Sequence, residues 1–373
     1  GRDPIALRRL NLIPGSAMPF TSASGQAYDS GDFATVLDKC LTQADWQGFA
    51  ARQAASRAKG MLRGRGISAY LEATAPAGKE MGGVHFEDDG TVSLITGTQN
   101  YGQGHASAFA QVLCDQLGVP FESIRLLQGD SDELLAGGGT GGSRSIMASG
   151  AAIVSVSVEV KEKARHLAAE KLETAIEDIQ FEAGQLQIAG TDRGISLMEL
   201  AQSEEGRAGA LNAALVIDTP PSSYPNGVHI CELEIDPETG STRLDRYIVV
   251  DDFGTMVNPL LVAGQVHGAV TQGIGQALME HAVYDGQGQL LSGSFMDYAM
   301  PRADQIPIIS FDDHPVPATT NPLGVKGCGE AGTSGALPAV MNAVVDALAE
   351  FGILHMDMPA TPEKIWRAIN AGA

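Results

Sequence analysis

A chain of 373 residues with 44% hydrophobic and 18% charged content is long enough to form two or more layers around a well-buried core. The formal net charge of −21 argues against a nucleic-acid or anionic-membrane surface, because either would need clustered Lys and Arg. The four cysteines include no C-x-x-C pair, so neither an iron–sulfur cluster nor a zinc site is encoded, and a cytoplasmic location is expected. We expect neither a membrane span nor an export signal, since no long apolar run is visible.

The predicted elements begin with a helical lead-in segment, residues 1–60, in which Asp3 and Pro4 form an N-cap and first-turn pair. Strands follow from residue 61, and Asp88-Asp89-Gly90 is predicted as a hairpin turn. Two units of strand, glycine-rich loop and helix come next. Their loops, residues 97–105 and 137–145, have the form of an anion-binding cradle.

Three prolines between residues 220 and 225 break the regular pattern and mark the predicted boundary between two lobes, residues 61–220 and 221–373. Beyond this boundary, strands resume at Gly227. A long helix is predicted from Pro259 to about His281, and a final long helix from near Ser334. The chain as a whole is therefore predicted to be an α+β protein, with mixed sheets and long helices arranged in two lobes.

A third glycine-rich loop, residues 324–332, places Glu330 between glycines just before a helix. The helix dipole and free N–H groups would keep a carboxylate there ionised and able to act as a base. A glutamate at a helix start more often serves only as a dipole partner. The same residues match G-x-G-x-x-G, but a loop containing Pro322 precedes them, so an NAD-dependent dehydrogenase is the weaker alternative.

The three glycine-rich loops together favour a large ligand with phosphate, carbonyl and ring-nitrogen groups. No Walker pattern G-x-x-x-x-G-K-[ST] accompanies them, which argues against a nucleoside triphosphate. Polar side chains that could contact such a ligand lie in or beside these loops or on the predicted helix from Pro259, namely Gln99, Gln103, His105, Ser143, Arg144 and Gln265.

Four separated motifs carry a family resemblance: Thr98–His105, Gly139–Arg144, Asn258-Pro259 with Gln265, and Gly324–Gly332. The chain resembles the C-terminal half of the molybdenum-binding large subunit of the xanthine dehydrogenase and aldehyde oxidase family, in its carbon monoxide dehydrogenase-like bacterial branch. The resemblance implies two molybdopterin-binding lobes, the second carrying the catalytic glutamate. It also implies a molybdenum hydroxylase that uses water to hydroxylate an aldehyde, an N-heterocycle or a similar small substrate.

The resemblance further implies roles for single residues. Glu330 matches the family's catalytic glutamate, and Gln265 matches the glutamine beside the molybdenum oxo ligand. No side chain is expected to bind the metal, because the pterin dithiolene holds it. The implied cofactor-binding positions are Gln99, Gly102, Gln103, Gly104, His105, Thr140, Gly141, Gly142, Ser143, Arg144, Gln265, Lys326, Gly327 and Gly329.

The cofactor implied for this branch is molybdenum–molybdopterin cytosine dinucleotide. FAD and [2Fe–2S] clusters are expected only in partner chains or domains, because electrons must leave the molybdenum. The upstream half of the family's large subunit has no match here, so we expect the chain to form about half of an active site, with that half as a further partner. A non-catalytic cofactor-binding or assembly fragment stays open as the alternative.

Overall fold

The structure is a computed structural model that describes residues 3–76 and 78–371. Over these residues the α-helices are α1 (Pro4–Asn11), α2 (Phe33–Gln43), α3 (Phe49–Arg57), α4 (His105–Leu117), α5 (Ser145–Leu172), α6 (Leu197–Gln202), α7 (Pro259–Leu278), α8 (Ala331–Ala347) and α9 (Pro362–Asn370). The strands are β1 (Phe20–Thr21), β2 (Ala27–Tyr28), β3 (Leu62–Leu71), β4 (Lys79–Phe86), β5 (Val92–Thr96), β6 (Ile124–Leu127), β7 (Ile179–Glu182), β8 (Gln185–Ile188), β9 (Gly194–Ser196), β10 (Ala213–Asp218), β11 (Asn226–Ile235), β12 (Thr242–Asp252) and β13 (Ile309–Asp313).

The first lobe is built on a sheet of strand order β10-β4-β5-β6, with α4 and α5 packed against it. Strands β5 and β6 are parallel because α4 crosses between them, whereas β4 pairs antiparallel with β5 and β10. The hairpin predicted at Asp88-Asp89-Gly90 is confirmed. The core of this lobe lies between the sheet and its helices and includes Val84, Leu94, Phe109, Leu113 and Ile153.

The second lobe is built on a sheet of strand order β13-β12-β11-β3, covered by helices on both faces. Strand β11 is buried along its whole length, and its side chains alternate between two cores. Cys231 and Leu233 face the core formed with α7 and α8, while Val228 and Ile230 face the core formed with α1 and α2. This double burial holds the helices of the second lobe in fixed positions around the sheet.

Sheet membership differs from the predicted segment boundaries at β3. This strand falls within residues 61–220, yet it pairs antiparallel with β11 along its full length and so lies in the sheet of the second lobe. The alternation that identifies a strand is local, whereas its pairing partner depends on residues far away in the chain. The chain therefore passes from the second lobe into the first after Leu71.

Helix α8 begins at Ala331, three residues before the predicted start near Ser334, and Glu330 is its N-cap residue. The prediction treated Gly332 as part of the loop, but this glycine packs inside the helix. A Cβ on Gly332 would lie 2.8 Å from Cβ of Ala269 on α7. Close helix packing therefore explains a glycine that the sequence pattern assigned to the loop.

The remaining long elements follow the sequence closely. Helix α5 begins and ends at the predicted residues, Asp3 caps α1 through its carboxylate, and α7 ends at Leu278, three residues before the predicted end. The α+β class with mixed sheets, long helices and two lobes is confirmed. Within residues 3–76 and 78–371, no helix combines the length and the apolar character needed to span a lipid bilayer.

Candidate functional site

A cavity of about 530 Å³ lies between the two lobes, and four helices begin at its wall. Residues at the starts of α4, α5, α7 and α8 all line it, so the positive dipole ends of four helices converge on one space. Two of these helices belong to each lobe. Such a cavity favours an anionic ligand that contacts both lobes at once.

Many of the residues predicted from the sequence meet at this cavity. The lining residues include Gly102, Gln103, His105, Thr140, Gly141, Gly142, Ser143, Gln265, Lys326, Gly329 and Glu330. Gln99, Gly104, Arg144 and Gly327 do not line it. The tertiary structure thus gathers three loops that are far apart in sequence, while the cofactor role of each residue stays a prediction.

Glu330 is fixed at the cavity wall by two contacts with the loop before α5. Its Oε1 atom accepts a hydrogen bond of 3.2 Å from the backbone N–H of Gly142. Its own N–H donates to Oγ of Ser143 over 3.0 Å. The side chain is exposed to the cavity and carries the one carboxylate among the described lining residues. Its position suits a group that exchanges a proton with a bound molecule.

The loop that orients Glu330 has a strained backbone. Ser143 has a φ of 54° and Gly142 a φ of 61°, two consecutive residues in the left-handed region, which a serine rarely adopts. The carbonyl of Gly142 accepts a 2.7 Å hydrogen bond from the N–H of Ala75, which joins the loop to the segment after β3. In this conformation the Ser143 hydroxyl accepts the N–H of Glu330, the N-cap residue of α8.

Gly327 lies where the loops of the two lobes touch. A Cβ on this residue would lie 1.7 Å from the backbone carbonyl oxygen of Ser143, so a larger residue cannot fit without moving one loop. Gly327 is buried and does not line the cavity. Its absent side chain therefore permits the contact between Ser143 and Glu330.

The first glycine-rich loop is anchored by a buried carboxylate. Oε1 of Glu80 accepts a 2.5 Å hydrogen bond from the N–H of Gly97, and burial raises the pKa of Glu80 to about 7. Further along the loop, the Gln103 amide donates to the carbonyl of Gln99 over 3.3 Å. Gln99 therefore shapes the loop through its backbone, and Gln103 lines the cavity.

His105 begins α4 at the cavity wall as a buried imidazole. Its ring stacks on Phe109 with a centroid distance of 4.6 Å, and Nδ1 lies 3.4 Å from the Gln128 amide nitrogen. Burial lowers the pKa of His105, an effect that Gln128 only partly opposes. A neutral ring next to the cavity can donate or accept a hydrogen bond but brings no positive charge.

Arg144 and Gly104 have structural roles away from the cavity lining. The Arg144 guanidinium donates to the carbonyl of Gly138 over 2.7 Å and thereby closes the loop before α5. Gly104 faces Leu261 of α7, where a Cβ would lie 2.7 Å from a Leu261 methyl carbon. Both residues shape the walls, and direct contact with a cofactor stays a prediction for each.

Lys326 lines the cavity, but its ammonium group is bound inside the protein. Nζ lies 2.6 Å from Oδ2 of Asp252, and both side chains are fully buried. Asp252 also accepts hydrogen bonds from the N–H groups of Gly254 and Val316. Because the charge of Lys326 is neutralised by Asp252, this residue mainly joins the α8 loop to β12.

Gln265 projects toward the cavity from α7, two turns after the helix begins. Its side chain has no hydrogen-bond partner within residues 3–76 and 78–371, whereas Asn258 caps the same helix through the N–H of Leu261. An amide that is ordered by its helix but not engaged by protein can donate and accept hydrogen bonds to a ligand. The role of Gln265 beside a molybdenum ligand stays a prediction.

The sequence analysis missed one wall of the cavity, the segment from Phe253 to Val257 that joins β12 to α7. Together with Leu261, Val262 and Val325 it supplies the apolar part of the cavity lining. The sequence offered one signal for this wall. A segment that joins a buried strand to the helix starting at Asn258-Pro259 must lie beside the N-terminus of that helix.

Within the part of the chain that the structure describes, no group of three or more His, Cys, Asp or Glu side chains is placed to hold a metal ion. The cysteine at the cavity, Cys328, has its thiol pKa raised to about 12, first by burial and then by Glu72 and Asp251. A thiol that stays protonated is a poor nucleophile and a poor metal ligand.

Comparison with known proteins identifies the family. Residues 39–307 match the sequence profile of the molybdopterin cofactor-binding domain. The chain belongs to this family. The resemblance to the xanthine dehydrogenase and aldehyde oxidase family, in its carbon monoxide dehydrogenase-like branch, is thereby confirmed.

Two curated relatives of this family member share about a third of its residues. The carbon monoxide dehydrogenase large chain of Hydrogenophaga pseudoflava is 34% identical over 388 residues, covering 99% of this chain and 48% of the relative. The nicotine 6-hydroxylase large subunit of Paenarthrobacter nicotinovorans is 34% identical over 387 residues, covering 98% and 47%. The chain therefore spans about half the length of the curated relatives it matches.

Solved structures show the same domain fold. A Cu,Mo-CO dehydrogenase in its carbon monoxide reduced state superposes with a TM-score of 0.90 at 30% identity, over 99% of this chain and 49% of that one. Quinoline 2-oxidoreductase from Pseudomonas putida 86 superposes with a TM-score of 0.88 at 32% identity, over 98% and 49%.

The cavity fits a molybdopterin cofactor on its own geometry. A Cβ on Gly102 or Gly141 would meet no protein atom within 4 Å, so these glycines leave room where a ligand can contact the backbone. The N-termini of α4 and α5 can satisfy phosphate oxygens, and the amides of Gln103 and Gln265 can satisfy ring nitrogens and carbonyls. The family assignment and the shape of the cavity therefore agree on a molybdopterin cofactor.

Proposed function

We propose that this chain supplies the base-bearing half of the active site of a molybdenum hydroxylase, which hydroxylates an aldehyde, N-heterocycle or similar small substrate with oxygen from water. The observation that carries the proposal is the placement of Glu330. Its carboxylate lies at the junction of both lobes, faces the cavity, and is oriented by the N–H of Gly142.

Glu330 acts as the general base in this proposal. It accepts the proton released when the oxygen nucleophile attacks the substrate, a role that typically contributes about 10² to 10⁴-fold in rate. The Gly142 N–H orients this carboxylate at the start of α8. Ser143 fixes the backbone of Glu330, so that the carboxylate keeps its direction toward the cavity.

The cofactor is proposed to be molybdopterin cytosine dinucleotide, which would supply the two-electron oxidation that the side chains cannot perform. The N–H groups at the starts of α4 and α5 would bind its phosphates, and Gln103 would hold polar ring atoms. Gln265 would donate a hydrogen bond near the reacting centre from its ordered position on α7. Lys326 would contribute through the loop geometry that its pair with Asp252 maintains.

The substrate class is supported by the apolar part of the cavity lining, which includes Phe253, Val257 and Leu261. Such a wall suits a flat or small apolar molecule that displaces water during the reaction. Relatives are named for carbon monoxide, nicotine and quinoline oxidation, so the family accepts substrates of very different size.

Electrons would leave through iron–sulfur and FAD partners, and the upstream half of the large subunit would complete the cavity. Relatives are named as large chains or as a subunit of a complex, which supports an assembly. All four cysteines are free thiols, which supports a reducing location such as the cytoplasm. In the alternative, the chain would bind cofactor within such an assembly without catalysing a reaction.

The first test is the molybdenum and nucleotide content of the natively assembled protein. Elemental analysis should give about one molybdenum per chain, and acid treatment should release a stoichiometric amount of cytidine monophosphate. Molybdenum without a nucleotide would support the hydroxylase and exclude the dinucleotide form. A folded native assembly that contains no molybdenum would overturn the proposal, and a loaded assembly without hydroxylase activity on any of the three substrate classes would favour the alternative.

A further inference from the structure

A buried polar cluster lies beneath the start of α8, and the proposed function does not use it. His229 on β11 and Tyr247 and Asp251 on β12 are fully buried or nearly so. The hydroxyl group of Tyr70 on β3 donates to Oδ1 of Asp251 over 2.9 Å. Burial of polar groups costs free energy that an apolar core would not incur, so the presence of this cluster needs a physical reason.

The register of the second sheet makes room for the cluster. Gly227 on β11 is paired with Tyr70 on one side and with Asp251 on the other. A Cβ on Gly227 would lie 1.8 Å from Oδ1 of Asp251, so a glycine here lets the Tyr70 hydroxyl reach across β11. His229 follows two residues later, on the same face of the sheet. Its side chain therefore stands beside Asp251, on the face that α8 covers.

The imidazole ring of His229 is held in one orientation. Its Nδ1 atom lies 2.9 Å from the hydroxyl oxygen of Tyr247, and its Nε2 atom lies 3.4 Å from Oδ1 of Asp251. The rings of Tyr70 and Tyr247 meet it edge to face, with centroid distances of 5.3 and 5.7 Å. Because polar contacts at the imidazole nitrogens lie in the plane of the ring, rotation of His229 would break them. The ring is therefore a rigid surface.

Gly335 of α8 rests on the face of this ring. A Cβ on Gly335 would lie 2.5 Å from Cε1 of His229 and 2.6 Å from both Cδ2 and Cγ. Nearly equal distances to three ring atoms place the helix backbone over the face of the ring. Glycine weakens a helix interior relative to alanine, so the close approach of α8 to His229 explains a glycine at this position.

The start of α8 joins Gly335 to Glu330. The N–H of Ser334 donates to the carbonyl of Glu330 over 3.0 Å, and the Ser334 hydroxyl donates to the same oxygen over 3.1 Å. On its other side Glu330 contacts the loop of the first lobe through Gly142 and Ser143. The distance of α8 from the second sheet therefore sets how far the Glu330 carboxylate reaches toward that loop.

We propose that His229 is a positioning residue for Glu330. Its ring supports Gly335, fixes the distance between the start of α8 and the second sheet, and so brings the Glu330 carboxylate to the N–H of Gly142. The inference rests on the proposed function, in which Glu330 is the base. His229 does not line the cavity and acts only through α8.

The test is a double-mutant cycle of Gly335→Ala and His229→Ala in the natively assembled protein. The Cβ of Gly335→Ala must move by about 1 Å to reach the ordinary carbon–carbon separation of about 3.5–4.0 Å. A misplacement of this size at an active site should lower kcat by about 10²-fold, whereas molybdenum content should not change. His229→Ala removes all three ring atoms, so in that background Gly335→Ala should change kcat by less than about twofold.

Crystal structures of the same variants give a readout that does not depend on turnover. In Gly335→Ala, Oε1 of Glu330 should lie beyond hydrogen-bond distance from the Gly142 nitrogen, instead of at 3.2 Å. The matched control is Gly206→Ala, whose Cβ would lie 2.0 Å from the carbonyl oxygen of Leu200. Gly206 does not line the cavity, so this overpacked variant should keep both the distance and kcat.

The two readouts separate the outcomes. The inference is supported if Gly335→Ala lengthens the distance and lowers kcat in the wild-type background but does neither when residue 229 is Ala. An unchanged distance in Gly335→Ala overturns it, and so does an equal loss of kcat in both backgrounds. If Gly335→Ala fails to assemble, the double variant must assemble for the inference to stand. A longer distance with normal kcat would contradict Glu330 as the base while supporting the positioning role of His229.

Discussion

The carboxylate of Glu330 accepts a hydrogen bond from the N–H of Gly142, a residue 188 positions earlier in the chain, across the junction of the two lobes. The base proposed for the second lobe is thus oriented by a loop of the first. Movement of either lobe would change its direction and its distance from a bound substrate. This contact requires the two loops to pack closely, and at Gly327 they pack so closely that a side chain has no room.

Replacement of Glu330 by Gln should remove the base while leaving the fold and the cofactor in place. Gln keeps an oxygen that can accept the Gly142 N–H but cannot take a proton, so turnover should fall by about 10² to 10⁴-fold. Steady-state kinetics with molybdenum analysis measure both properties. The matched control is Glu363→Gln on the exposed face of α9, which should have normal turnover. Near-normal turnover in Glu330→Gln would contradict the assignment.

Replacement of Gly327 by Ala should destabilise the contact between the loops. The new Cβ would lie 1.7 Å from the Ser143 carbonyl oxygen, a backbone atom that no rotamer change can move away. Overpacking of this kind costs about 1–3 kcal/mol in the free energy of unfolding. Urea denaturation of cofactor-free protein measures this cost. Gly329→Ala is the control, because its Cβ would lie 3.5 Å from the nearest atom, and equal stability losses in the two variants would argue against the explanation.

Replacement of Lys326 by Met should lower stability even without cofactor. The change leaves Asp252 buried without its charged partner, which costs about 3–5 kcal/mol in the free energy of unfolding. The double variant with Asp252→Asn should be less destabilised than the sum of the single variants, as a double-mutant cycle in urea reveals. If Lys326→Met instead lost cofactor at unchanged stability, Lys326 would be a cofactor ligand rather than a link between loop and strand.

The stability of the protein should depend on pH through Glu80. Burial raises its folded-state pKa to about 7 from an ordinary value of 4.5. The folded state therefore binds the proton more tightly, and the stabilisation is complete below about pH 4.5 and is lost as the pH rises through about 7. Relative to wild type, Glu80→Gln should gain about 1–3 kcal/mol between pH 5 and pH 8, since each unit of pKa corresponds to about 1.4 kcal/mol.

Urea unfolding at several pH values measures this gain. Gln at position 80 can still accept the Gly97 N–H, so the loop should stay anchored in the variant. Glu363→Gln serves as the control, because its side chain is exposed and should leave the pH dependence unchanged. If the free energies of unfolding of wild type and Glu80→Gln changed with pH in parallel, the pKa of Glu80 would not be raised by folding.

The sequence by itself determined most of the elements and the identity of the loops. Helix α5, the hairpin before β5 and the Asp3 cap of α1 depend on neighbouring residues, because capping and side-chain periodicity act over a few positions. The glycine-rich loops were also visible, since glycines, polar side chains and a following helix are local features. From these motifs came the family resemblance and the candidate base, Glu330.

Only the tertiary structure decided how these parts meet. It paired β3 with the second lobe and paired the ammonium group of Lys326 with the carboxylate of Asp252. It also showed that Gly332 belongs to α8, where it packs against α7. Each of these relationships joins residues far apart in the chain, so their energies depend on burial and on charges that a local sequence pattern does not contain.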